Sequence, residues 1–224
     1  MGAAIGQSLP VAVGVLVSPL PIVAVVLMLV SGRRAKANAF AFLVGWFVAV
    51  GAVTLVVALV AGSAVPQDGG PPLWAAILKL VLGVLLLLLA LKQWRGRPRD
   101  GVDPPAPRWM AAIDAFTPVK AAGLAVLLGA VNPKNLLLVV SGGAAIASAA
   151  PDDTTAQVVA AVVFAVVASI GVTAPVFIYL FMGSRAAAML DALKAWMTHN
   201  NAVIMAVLLL VLGAKLLGDG IAAL

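Results

Sequence analysis

Two apolar stretches, each long enough to cross a bilayer, are interrupted near their middles by proline. The interruptions are Ser18-Pro19-Leu20-Pro21 in the first stretch and Asn132-Pro133-Lys134-Asn135 in the fourth. Each couples a residue with a capping side chain to a proline, the pairing found where a helix begins. At hydrocarbon depth such a break frees backbone groups from the helical ladder, and these persist only inside protein or beside a polar cavity. The two breaks therefore need a bundle that encloses them, and they mark the halves of a candidate substrate site.

The composition narrows the class. At 64% hydrophobic, 10% charged and a mean hydropathy of +1.17, the chain is not an ordinary soluble domain. Apolar runs recur along it, each a candidate transmembrane helix. The absence of cysteine removes disulfides, thiolate metal sites and dithiol redox chemistry. One histidine and no glutamate leave little for a metal centre, so no cofactor is expected. The net charge of +6 comes from short loops beside apolar runs, the pattern that orients a membrane protein, so nucleic acid is not an expected partner. The N-terminus lacks a basic leader region and reads as a retained helix.

The expected spans are 5–31, 37–61, 73–93, 119–148, 156–182 and 200–222. Loops 32–38, 92–120 and 183–199 carry all the Lys and Arg residues except Lys79, Lys134 and Lys215, whereas the charged residues of 62–72 are Asp68 alone and those of 149–155 are Asp152 and Asp153. Basic loops stay in the cytoplasm. The expectation is six crossings of the plasma (inner) membrane with both termini outside. Treating 119–148 as a re-entrant hairpin would put the Asp152/Asp153 loop inside and spoil the charge alternation. Trp46, Trp74, Trp94 and Trp196 read as interfacial anchors.

Placing Pro19 on Pro133 aligns the two breaks, each in the first span of a three-span half. Three spans per half is an odd number, so the halves cross in opposite senses, an inverted repeat of the kind secondary carriers use. The fold class is thus an all-α integral membrane protein with six transmembrane helices in a 3+3 inverted repeat, helices one and four broken. The first repeat covers 1–93 and the second 118–224. Between them lies a cytoplasmic linker, 94–117, rich in Pro and Gly, whose 108–116 part reads as a short interfacial helix or a docked loop turn.

The chemistry of the breaks is anionic recognition. Ser18 and Asn132 are placed to cap helices starting at Pro19 and Pro133, and each start carries unpaired N–H donors and a partial positive charge. In an inverted pair both positive ends converge, with Lys134 beside one, to make an anion trap. The expected substrate-binding set is Ser18, Pro19, Pro21, Asn132, Pro133, Lys134 and Asn135. Thr54, Ser141, Ser169, Thr173 and Tyr179 are candidate pore-lining residues, with packing as the plainer reading for most. Every aspartate falls in a loop or near a span end, which argues against a carboxylate proton relay. Lys79 and Lys215 lie nearer span ends and snorkel. Gly83, Gly129, Gly142 and Gly143 permit close helix approach.

Two segments carry a resemblance. Ile113-Asp-Ala-Phe-Thr-Pro-Val-Lys, continuing to Ala130-Val-Asn-Pro-Lys-Asn, and the late run Trp196-Met-Thr-His-Asn-Asn resemble the actinobacterial GAP family of peptidolipid- and sulfolipid-addressing proteins, within the lysine-exporter (LysE-like) superfamily. The resemblance implies a plasma-membrane protein that helps move polar lipids, such as glycopeptidolipids or sulfolipids, towards the cell envelope. The positions it implies are Asn132, Pro133, Lys134 and Asn135, with Pro19 and Pro21.

The leading expectation is therefore a secondary exporter of an anionic or zwitterionic polar lipid, with membrane lipids as partners and no enzyme activity. An exporter of amino acids or other small solutes is the alternative on the same site. A non-transporting scaffold that recruits lipid-synthesis enzymes through 94–117 is the alternative of another class. No ATP-binding loop is present. A homodimer is compatible with so short a chain, and glycine content does not decide it.

Overall fold

The computed structural model describes residues 1–30, 34–63, 73–97, 112–182 and 185–224. It is all-helical among these, with helices α1 (Gly2–Leu16), α2 (Pro19–Val30), α3 (Ala35–Gly62), α4 (Leu73–Arg95), α5 (Pro118–Val126), α6 (Pro133–Ala149), α7 (Thr154–Phe181) and α8 (Arg185–Ile221). Proline opens α2, α5 and α6, where its missing N–H costs nothing and its fixed φ suits the first turn. Side chains finish three of the starts. Thr117 accepts from the Lys120 amide, Asn132 from Lys134 and Asp153 from Ala156.

The pairs on either side of the proline breaks bend sharply. The angle is 51° between α1 and α2, and 64° between α6 and the helix that precedes it. Four helices, α3, α4, α7 and α8, are each long and apolar enough to cross a membrane, and counting each bent pair as one span makes six. This is a multi-pass membrane protein. Phe40, Val48, Val56, Leu88, Val162, Leu210 and Phe181 are exposed on the outer faces, as lipid contact requires. The opposite case is α2. Its residues from Pro21 to Val26 are buried on every side, so α2 lies within the bundle.

Small residues set the close crossings. Ala76, Gly83 and Ala90 on α4 recur every seven residues, as do Ala206, Gly213 and Gly220 on α8, and all six are buried. Gly83 lies against Leu217, and Gly213 against Leu87. A seven-residue repeat keeps one narrow seam facing its partner, so α4 and α8 form the most extensive helix pair in the molecule. A methyl at Gly143 would sit 2.8 Å from the Thr54 carbonyl, and one at Gly45 2.8 Å from that of Ala122. At Gly142 it would run into Phe164, and at Gly129 it would meet the Trp46 ring at 3.3 Å. Close approach at Gly83, Gly129, Gly142 and Gly143 thus follows the expectation.

Three expectations need correction. Trp46 is fully buried midway along α3, stacked near Phe42, and its indole N–H donates to the Ala168 carbonyl at 3.4 Å. It is a core residue and no interfacial anchor. The last helix starts at Arg185, well before 200, and runs 37 residues. Its first part holds the Lys194–Asp191 ion pair, which stabilises polar helix outside an apolar span. Finally, the described part of 108–116 is a single 3-10 turn at Ile113–Ala115 with Ile113 buried against α2, the docked-turn alternative. Trp109 and most of the linker lie outside the described residues.

Candidate substrate-binding site

The fourth apolar stretch does not pass from α5 to α6 through an ordinary turn. Residues Leu127–Val131 form a π-helical turn, in which the Asn132 amide reaches back five residues to the Leu127 carbonyl at 2.7 Å. In that register the next carbonyl, Leu128, would be answered by the amide of Pro133, which has no hydrogen. The Asn135 side chain supplies the missing donor, its Nδ2 lying 2.8 Å from the Leu128 oxygen. A buried carbonyl left unpaired in an apolar medium is costly, and this amide removes the cost.

The other end of the same amide reaches the first break. Asn135 Oδ1 accepts from Ser18 Oγ at 2.9 Å, and both residues are buried, Asn135 to 1% exposure and Ser18 to 5%. The two proline breaks, far apart in sequence, thus meet through one hydrogen bond in the interior. This differs in one respect from the cap expected at Ser18. Its hydroxyl turns across the bundle to Asn135 instead of capping α2, and with Pro19 and Pro21 both lacking N–H, the first turn of α2 offers few donors. The second start is richer. Asn132 caps α6 by accepting from the Lys134 amide at 3.1 Å.

Burial grades across the second break. Val131 and Pro133 are exposed, Asn132 and Lys134 half-buried, and Asn135 fully enclosed. The polar groups therefore run from the margin of the bundle to its centre. Lys134 is half-buried on α6, which packs on α4, the helix that carries Lys92. Neither α4 nor α6 carries a carboxylate.

The remaining candidates are placed differently. Thr54, Ser141, Ser169 and Thr173 each donate to the carbonyl four residues back in their own helix, at 2.8, 2.6, 2.6 and 2.7 Å. Their hydroxyls are thus satisfied locally and are not turned onto the Ser18–Asn135 pair. Tyr179 is half-buried near the end of α7. No three metal-ligating side chains cluster among the described residues.

Three features escaped the sequence reading. One is the π-helical turn. The others are two buried amides at matching places, each the fourth residue of its helix: Asn38 of α3 donates to the Phe116 carbonyl at 2.9 Å, and Gln157 of α7 donates to that of Ala150 at 2.8 Å. A polar residue one turn inside an apolar helix was the available signal. Gly171 marks another close crossing, because a methyl added there would collide with the carbonyl of Leu16, the last residue of α1.

A family model described as "Sap, sulfolipid-1-addressing protein" matches residues 9–222. No curated protein and no solved structure matches the chain.

Proposed function

This chain belongs to the sulfolipid-1-addressing protein family, and from that premise we propose that it is a secondary carrier, not an enzyme, exporting an anionic or zwitterionic polar lipid across the plasma membrane. The head group is held where the two breaks meet, by Ser18, Asn132, Asn135 and the Lys134 ammonium. The observation that carries this reading is the Ser18–Asn135 bond, which joins the breaks at a buried point. A lipid fits the site better than a small solute because the break is polar on its inner edge and apolar and exposed on its outer edge, at Leu127, Val131 and Pro133. An amphiphile seated there keeps its tail in the bilayer.

An inverted pair of three-span halves is supported by how the helices pair. Exchanging α1, α2, α3 and α4 with α5, α6, α7 and α8 converts the α1–α7 contact into α5–α3, α2–α8 into α6–α4, and α2–α7 into α6–α3, all of which occur. The α3–α7 and α4–α8 contacts convert into themselves. These exchanges fit a two-fold relation between the halves of the kind inverted repeats have, although the α1–α6 packing has no counterpart between α5 and α2. Such carriers work by rocking one half on the other around a central site, and a hydrogen bond between the halves at that site is placed to respond to substrate.

The test is transport in proteoliposomes of a radiolabelled sulfated glycolipid, compared with radiolabelled amino acids. Wild type moves the lipid, and Lys134→Met loses at least about tenfold of the rate, the scale of one charge-assisted contact, with unchanged expression and thermal stability. Full transport by Lys134→Met removes that lysine from the mechanism. Movement of amino acids and not lipid assigns the site to a small solute. Lipid export in cells that survives Lys134→Met but fails on deletion of residues 98–111 makes the protein a scaffold.

A further inference from the structure

Away from the breaks, the α4–α8 pair carries a second feature. Beside the small-residue seam, α4 and α8 border a cleft of about 520 Å³, lined by Leu87, Ala90, Leu91 and Trp94 of α4 and by Ala206, Val207 and Leu210 of α8. The lining is apolar, and small residues form its floor. From Leu87 to Trp94 the cleft runs roughly 10 Å along α4, about two-thirds of one leaflet's share of the hydrocarbon core. Its end is marked by charge. The Arg97 guanidinium lies over the Trp94 ring, 4.1 Å from its centre, and its Nη1 donates to the Trp94 carbonyl at 2.8 Å. That single bond leaves most of the guanidinium's five donors unused, and Arg95 stands in the same turn while α4 holds no acidic residue.

We infer that this cleft is a binding site for a resident anionic phospholipid of the leaflet on the basic side, one acyl chain lying between α4 and α8 and the phosphate held by Arg97. The occupant is argued from charge and depth together. A neutral lipid fills the cleft equally well but leaves the fork of Arg97 unmatched, whereas a phosphate takes two parallel N–H donors from it. Trp94 fixes the fork by stacking, so the head-group contact is made by an ordered side chain. Basic pockets between helices at the cytoplasmic interface are recognised by this class of head group. The inference does not depend on transport.

The experiment uses the full chain purified in detergent, with dioleoyl-phosphatidylglycerol and dioleoyl-phosphatidylcholine as probes and native mass spectrometry counting retained lipid. Wild type is expected to keep phosphatidylglycerol on the order of tenfold better. Arg97→Gln should bring the two lipids to parity, with Arg97→Lys intermediate. Leu210→Trp, a change at an exposed wall that fills the cleft without touching the core, should lower retention of both. Equal retention of the two lipids by wild type overturns the inference. So does a preference that survives both Arg97→Gln and Leu210→Trp. Loss of transport by Lys134→Met with lipid retention intact shows that the two sites are distinct.

Discussion

The hydroxyl of Ser18 donates a 2.9 Å hydrogen bond to the side-chain oxygen of Asn135, across 117 positions of sequence. Asn135 needs this partner less than it needs Leu128, because the Leu128 carbonyl has lost its backbone donor to Pro133 and the Ser18 hydroxyl has not lost anything equivalent. The residue is therefore a hub whose two bonds differ in worth.

That asymmetry sets the first prediction. Ser18→Ala should cost about 0.5–1 kcal/mol, the size of an interhelical hydrogen bond in a membrane protein. Asn135→Leu should cost about 2–3 kcal/mol, since it leaves the Leu128 carbonyl buried and unpaired. The double variant should match Asn135→Leu to within roughly 0.5 kcal/mol, because the serine bond is already gone. Reversible unfolding in mixed micelles measures all three. Strict additivity of the two single effects would show that the side chains are not coupled.

The glycines divide into two groups with opposite expected outcomes. A methyl at Gly171 collides with the Leu16 carbonyl, and one at Gly143 with that of Thr54, both of them backbone that cannot yield without moving a helix. Gly171→Ala and Gly143→Ala should each cost about 1–3 kcal/mol, as overpacking does. At Gly123 and Gly218 the added methyl meets open space, so Gly123→Ala and Gly218→Ala should stabilise by up to about 1 kcal/mol through helix propensity. Thermal unfolding of the four variants separates the groups. Equal behaviour would sink the packing argument.

Much of the bent-pair architecture was legible in the sequence because proline is an unambiguous local signal. The breaks at Pro19 and Pro133 need only the missing N–H, and the observed starts of α2 and α6 fall on those residues. The edges of α3, α4 and α7 were legible for a related reason: charge, Gly and Pro end an apolar run sharply. Trp46 was not legible. In α3 the lipid-facing and core-facing sides are both apolar, so periodicity carries no sign of which side a residue occupies, and its position alone suggested an interface. The Ser18–Asn135 bond was beyond reach as well, since it depends on a π-helical turn that shifts Asn135 by part of a turn. The start of α8 was misread because Asp191, Lys194 and His199 look like loop, although an amphipathic helix outside the bilayer has the same composition.

Trp46 offers a direct test of the corrected placement. Trp46→Ala should cost about 3–5 kcal/mol, the range for deleting a buried aromatic, whereas Trp196→Ala, at an exposed site, should fall within about 0.5 kcal/mol of wild type. A variant keeping Trp46 as its sole tryptophan should fluoresce in the blue and resist acrylamide. One keeping only Trp196 should be quenched readily. Comparable quenching of both would place Trp46 at a surface.

The lack of cysteine makes the natural chain its own background for mapping which side each loop faces. Lys36 opens α3 beside the first basic loop, and Asp153 caps α7 in the acidic one; both are exposed. If each bent pair crosses as one span, Lys36→Cys and Asp153→Cys lie on opposite faces. In intact cells a membrane-impermeant maleimide should then label Asp153→Cys and spare Lys36→Cys until the membrane is opened. The alternative geometry for a 64° bend, a hairpin that returns to its own side, gives a different result. With α5 and α6 re-entrant, Asp153 shares the cytoplasmic face with the 112–117 segment, and neither cysteine reacts before permeabilisation. Ala222→Cys, just past α8, is the control for the far end of the chain: six crossings place it with Asp153 and outside. Protection of Asp153→Cys in intact cells would remove the inverted pair of halves, and with it the two-sided access on which export through the Ser18–Asn135 junction depends.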